Sequence, residues 1–127
     1  MTSHSKEDFD GLYAKLRSEA LGALVNEGHI KDKDSVFQDG MLTYKQYNDT
    51  LMELDGEATL AMYDMYKYQR ADNLRLYKQA VITYWKKTIL MYREYKRAIA
   101  EDPNVKEFVE GLQAKDKKPL MLITMEG

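Results

Sequence analysis

Between Gly56 and Pro103 the chain contains neither glycine nor proline. No other feature constrains the fold as much, because nothing across 57–102 forbids helix. One helix over 57–101 would be about 65–70 Å long at about 1.5 Å per residue. Asp102 ends it, since the residue before a proline is pushed away from the α region. On a wheel of about 100° per residue, Tyr63, Tyr66, Leu74, Tyr77, Ala80, Val81, Tyr84, Thr88, Met91, Tyr92, Tyr95, Ala98 and Ile99 share an arc about 120° wide. That arc predicts a buried stripe. Lys67, Arg75, Lys78, Lys86, Arg93, Lys96 and Arg97 share a second arc, with Tyr68, Ile82, Trp85 and Ile89 interleaved.

The remaining segments are shorter. Phe9, Leu12, Tyr13, Leu16, Ala20, Ala23 and Leu24 recur at helical spacing and predict an amphipathic helix over 7–26, with Gly28 as its stop. Residues 29–40 are polar and irregular and read as a loop. Thr43 followed by Gln46 forms a capping-box pattern for a second helix over 44–54, after which Gly56 either breaks the chain or is absorbed as a kink. Pro103 can open a short helix over 104–114 carrying Val105, Phe108, Val109 and Leu112. The apolar tail 119–127, with Leu120–Met125 at its centre, has the length of a strand. The expected fold is therefore all-α. It is a single domain over 1–127, an elongated helical bundle or hairpin with one very long central helix and a short C-terminal strand.

Charge is distributed unevenly. Residues 1–66 hold 13 Asp/Glu against 6 Lys/Arg, whereas residues 67–97 hold 9 Lys/Arg against Asp72 and Glu94. A net charge of −2 therefore conceals a basic centre, which suggests an electrostatic partner. Long cations interleaved with Trp and Tyr suit phosphate contact plus base stacking. The expected nucleic-acid face is Lys67, Arg75, Lys78, Trp85, Lys86, Arg93, Lys96 and Arg97. The rival for that face is an acidic protein surface.

The stripe itself predicts oligomerisation. The N-terminal helices provide too little length to cover about 65 Å, and an exposed apolar strip marks an interface. Tyr77, Val81, Tyr84, Met91, Tyr92 and Tyr95 are the expected contacts between copies, with Leu120 and Leu122 pairing as strand. The expected partners are copies of the chain itself, nucleic acid, and a larger phage or cellular protein.

Other chemistry is set aside. The absence of Cys excludes disulfides, thiolate metal sites and cysteine nucleophiles. His4 and His29 are isolated, so no metal site is expected, and nothing implies a cofactor. Residues 35–47 have an EF-hand-like cadence, but Ser35 and Phe37 stand where oxygen ligands belong. No glycine-rich phosphate loop or nucleophile motif is present, so an enzyme is not expected. No run of 18 apolar residues occurs and the N-terminus lacks an apolar h-region. The expectation is a cytoplasmic protein, in the host cytoplasm if viral, with no membrane partner.

The segment LTYKQYNDTLMELDGEATLA (42–61) resembles the opening of phage small terminase subunits, where an LT-x-KQ start leads to a D-G-x-A-T-x-A second helix of a helix-turn-helix. IAEDPNVKEFVEGL (99–112) is similar to that family's later N-P-x-V segment. The resemblance implies an oligomeric, DNA-binding packaging subunit whose C-terminal strands close between subunits. After Ala61 the family has a glycine turn and a recognition helix, whereas this sequence continues as helix. The resemblance therefore implies either that DNA contact has moved to the basic helix, or that the chain is a relative with another role in the virion or in DNA metabolism.

Overall fold

The computed structural model describes residues 5–34 and 39–117, and within them every regular element is helical. These are α1 (Lys6–Asn26), α2 (Asp39–Tyr44), a 3-10 turn at Lys45–Tyr47, α3 (Asp49–Arg70), α4 (Leu74–Glu101) and α5 (Pro103–Lys117). The class is all-α. The expected strand over 119–127, with Leu120 and Leu122, lies outside the described residues.

The single central helix is corrected. The chain reverses at Ala71–Asn73, and α3 and α4 pack against each other as an antiparallel hairpin, the most extensive contact in the molecule. Three local events make the reversal. Asp72 adopts a φ of 54°, the left-handed conformation that Asp tolerates better than most residues. The Asn73 N–H bonds the Tyr68 carbonyl at 2.9 Å and the Asp72 N–H bonds the Gln69 carbonyl at 3.1 Å, which closes the α3 end as a Schellman motif. The Asn73 side chain then accepts the Leu76 N–H at 3.1 Å and caps α4.

The same motif ends α1, with glycine in the left-handed position. Gly28 has a φ of 75°, its N–H bonds the Val25 carbonyl at 3.0 Å, and the His29 N–H bonds the Leu24 carbonyl at 2.9 Å. At the other end, Ser5 and Asp8 form a reciprocal capping box (Oγ to the Asp8 N–H 3.2 Å, carboxylate to the Ser5 N–H 2.9 Å). Thr43 and Gln46 do not start α3; Asn48 does, its side chain accepting the Leu51 N–H at 3.0 Å. Gly56 is absorbed inside α3. An added Cβ there would meet nothing within 4 Å, so a residue that costs about 1 kcal/mol against alanine has no packing reason among the described residues.

Side-chain contacts show that α1 runs alongside α4 in the same direction: Phe9 meets Tyr77, Tyr13 meets Trp85 and Glu27 meets Arg93. Two buried groups result. Phe9, Met65, Tyr77, Ala80 and Val81 form one near the hairpin turn. Leu21, Leu24, Ile30, Met41, Leu51, Ala58, Met91, Tyr92 and Tyr95 form the other. Tyr84 and Trp85 pack against both and join them. The buried Thr88 hydroxyl donates to the Tyr84 carbonyl at 2.9 Å, so its polarity is satisfied inside the helix.

Candidate interaction surfaces

The hairpin re-sorts the two arcs read from the wheel. Tyr77, Val81, Met91, Tyr92 and Tyr95 are buried, and Tyr84 is half-buried against the core. Burial pushes the Tyr77, Tyr84 and Tyr95 hydroxyls above their ordinary value near 10. The interface role expected of these six residues is corrected, because α1 and α3 already cover them. No long uncovered strip is left for the same reason: folding back at Asp72 halves the span that needs cover.

Tyr63 and Tyr66 move the opposite way. They share the buried arc only while the helix is continuous. With α3 ended at Arg70 they are 62% and 53% exposed, beside Met52 at 53% and Leu60 at 65%. Gly56 and Thr59 lie on the same face of α3. The sequence reading missed this patch. The signal that could have found it is Asp72-Asn73, a left-handed-tolerant residue followed by a strong N-cap.

The basic face is divided. Arg75, Lys78 and Lys86 are exposed on one side of α4, around the half-exposed Ile82, and none makes an ion pair among the described residues. Farther along, Arg93 donates to both Glu27 carboxylate oxygens (Nε 2.8 Å, Nη2 3.1 Å) and Lys96 Nζ donates to the Glu27 carbonyl at 3.0 Å. Both cations thus sit on the C-terminal end of α1, where they offset its helix dipole. Arg97 bonds Glu94 at 2.9 Å and pairs with Glu101 at 2.6 Å. Hydrogen bonds from the guanidinium groups hold the Glu27 and Glu94 carboxyls below their usual range. Lys67 belongs to α3, 5.6 Å from the Tyr68 ring centroid, and so is not on the α4 face.

Trp85 is already engaged. Its ring stands edge-on to Tyr84 at 5.1 Å and 6.3 Å from Tyr13, and its buried Nε1 has no hydrogen-bond partner among the described residues. Beside it an open groove runs between α1 and α4, floored by Leu16, Ala20, Ala23, Ile82, Ile89 and Leu90 and edged by Glu19, Lys86 and Arg93.

The stretch 42–61 that resembles small terminase subunits spans the end of α2, the 3-10 turn and the first half of α3, with Gly56 inside the helix rather than at a turn. Among the described residues, no three His, Asp or Glu side chains gather as a metal site. No described helix is long and apolar enough to cross a membrane. No family model, curated protein or solved structure matches the chain.

Proposed function

We propose that this is a non-enzymatic helical assembly or adaptor protein. One observation carries the reading: Met52, Leu60, Tyr63 and Tyr66 stand more than half exposed on one face of α3, whereas α4 buries Tyr77, Val81, Met91, Tyr92 and Tyr95. A helix that turns four large apolar side chains to solvent on one face is built to lie against another surface. The partner is a further copy of the chain or a larger phage or cellular protein, and a cytoplasmic setting, in the host if viral, goes with it. Strand pairing of Leu120–Met125 between subunits would add a second contact. Sedimentation velocity at micromolar concentration should show a species larger than the monomer. A monomer that also fails to bind any candidate virion or cellular partner would remove the reading.

A second reading rests on Arg75, Lys78 and Lys86, three exposed cations on one face with no ion-pair partner among the described residues. They span about 16 Å of helix, enough to follow a phosphate backbone. Nucleic-acid contact, as in phage DNA packaging, would use these three residues first. Arg93, Lys96 and Arg97 would have to exchange an intrachain acceptor for a phosphate. Filter binding should then show a log–log salt slope of about −0.9 per phosphate contacted, so about −3 for three contacts. A flat slope, or binding unchanged in Arg75→Glu/Lys78→Glu/Lys86→Glu, assigns the cations to an acidic protein instead.

A further inference from the structure

We infer that the partner of the α3 face is α3 of a second copy, packed antiparallel about a two-fold axis near Leu60. The inference rests on the assembly reading and adds the occupant, the direction and the register.

Three independent features converge on it. The exposed apolar residues extend from Met52 to Tyr66, about 21 Å along the helix, and are centred on residues 59 and 60. The ends of the same helix carry opposite charge. Asp49 and Glu53 flank the N-terminal end of the patch, Lys67 and Arg70 lie past its C-terminal end, all four are exposed, and none forms an ion pair among the described residues. An antiparallel pairing with its axis between residues 59 and 60 sets Asp49 against Arg70 and brings Glu53 beside Lys67, twice over by symmetry. A parallel pairing sets acid against acid and base against base. Finally, the same register places Gly56 opposite Tyr63 of the second copy. Glycine is a poorer helix former than alanine, and a Cβ at position 56 would meet nothing within 4 Å among the described residues. Its missing side chain gives the second copy's Tyr63 ring a seat and lets the two backbones approach.

Two facing helices of this length make a small interface, below about 1,200 Å² in total, so the dimer belongs among weak, reversible ones. The rim ion pairs set register more than affinity.

The absence of cysteine in the sequence makes a clean test. Under mild oxidation of the full chain, Leu60→Cys should give a disulfide-linked dimer and Met52→Cys alone should not. An equimolar mixture of Met52→Cys and Tyr66→Cys should cross-link between the two variants. By sedimentation, Tyr63→Asp should weaken association at least tenfold. Glu53→Lys and Lys67→Glu should each weaken it several-fold, and the double exchange should restore it. Gly56→Leu should raise the midpoint of thermal unfolding of the dilute monomer yet weaken the dimer, so misfolding cannot mimic the result. Cross-linking through Met52→Cys alone would overturn the antiparallel register. An oligomer that survives Tyr63→Asp would place assembly on another face and overturn this inference while leaving the assembly reading standing. A monomer at about 100 µM overturns the self-pairing outright. If that monomer begins to pair once residues 118–127 are deleted, the occupant is the chain's own tail.

Discussion

Helices α3 and α4 carry similar sequence patterns and end with opposite faces turned to solvent. Both are rich in tyrosine, both present an apolar stripe, and a continuous wheel would merge the two stripes into one. In the hairpin, α4 buries Tyr77, Val81, Met91, Tyr92 and Tyr95, whereas α3 leaves Tyr63 and Tyr66 in solvent and buries Leu51, Ala58, Ala61 and Met65 instead. The difference does not come from the tyrosines. It comes from the Ala71–Asn73 turn, which reverses the chain and re-phases one helix against the other. A tyrosine stripe therefore reports a continuous face only where the helix is continuous.

The largest effect should come from placing a carboxylate on each stripe in turn. Val81 has no exposed surface, so Val81→Asp buries a charge with no partner and should destabilise the monomer by about 4–5 kcal/mol. Tyr63→Asp lies on an exposed turn and should change monomer stability by less than about 0.5 kcal/mol. Urea unfolding at concentrations below dimer formation measures both. Similar losses in the two variants would mean that Tyr63 is part of the core and that the comparison between the helices is wrong.

The turn that creates the difference should be sensitive to backbone shape. Asp72 holds a positive φ, so the β-branched Asp72→Val should cost about 1–2 kcal/mol. Gly28→Ala at the matching position of α1 should cost about 1 kcal/mol. Its new Cβ would meet only Lys96 Nζ at 3.9 Å, an ordinary contact, so that cost is conformational rather than steric. Chemical denaturation of the two variants checks the ordering. A larger loss at Gly28 would make the α1 end, not the hairpin turn, the more demanding reversal.

These two helix ends also explain which parts of the fold were legible. Gly28 announces a left-handed residue in one letter, and the end of α1 could be placed from it. Asp72 performs the same task, but aspartate is commonplace on helix surfaces, and the absence of Gly and Pro over 57–102 masked it. Asn48 is similarly hidden behind the more conspicuous Thr43 and Gln46. The helical class and most of the buried residues of α4 follow from periodicity, which depends only on local spacing. The occupancy of the basic face does not. Glu27 reaches Arg93 across 66 residues of sequence, so no wheel of α4 could show that Arg93 and Lys96 are committed to the end of α1. The exposed face of α3 was lost for the first reason, and the apparent length of the basic face was overestimated for the second.

The smallest predicted effect separates the cations of α4 that face solvent from those that hold α1. His29 is buried beside Glu27, with its Nε2 3.5 Å from a Glu27 carboxylate oxygen and its ring 5.8 Å from that of Tyr92. Burial lowers its pKa from the ordinary 6.5, against the opposing pull of Glu27, with Lys96 and Arg93 adding to the decrease. The folded state therefore binds a proton at His29 less readily than the unfolded chain, so stability is full above pH 6.5 and falls as pH drops below it. Glu27, held below its ordinary 4.5 chiefly by the Arg93 hydrogen bond, adds a second loss in the same direction, beginning near pH 4.5. Both losses act on the α1–α4 contact, whereas the α3–α4 hairpin keeps its packing. The chain's one tryptophan, Trp85, lies against Tyr13 of α1 and reports that contact by fluorescence. Titration from pH 8 to about pH 2 should move its emission in two steps. His29→Asn should remove the upper step, and Glu27→Gln the lower one, without altering helicity near neutral pH. A single step that neither substitution shifts would show that acidification opens the hairpin as a whole and that the α1 clamp plays no separate part.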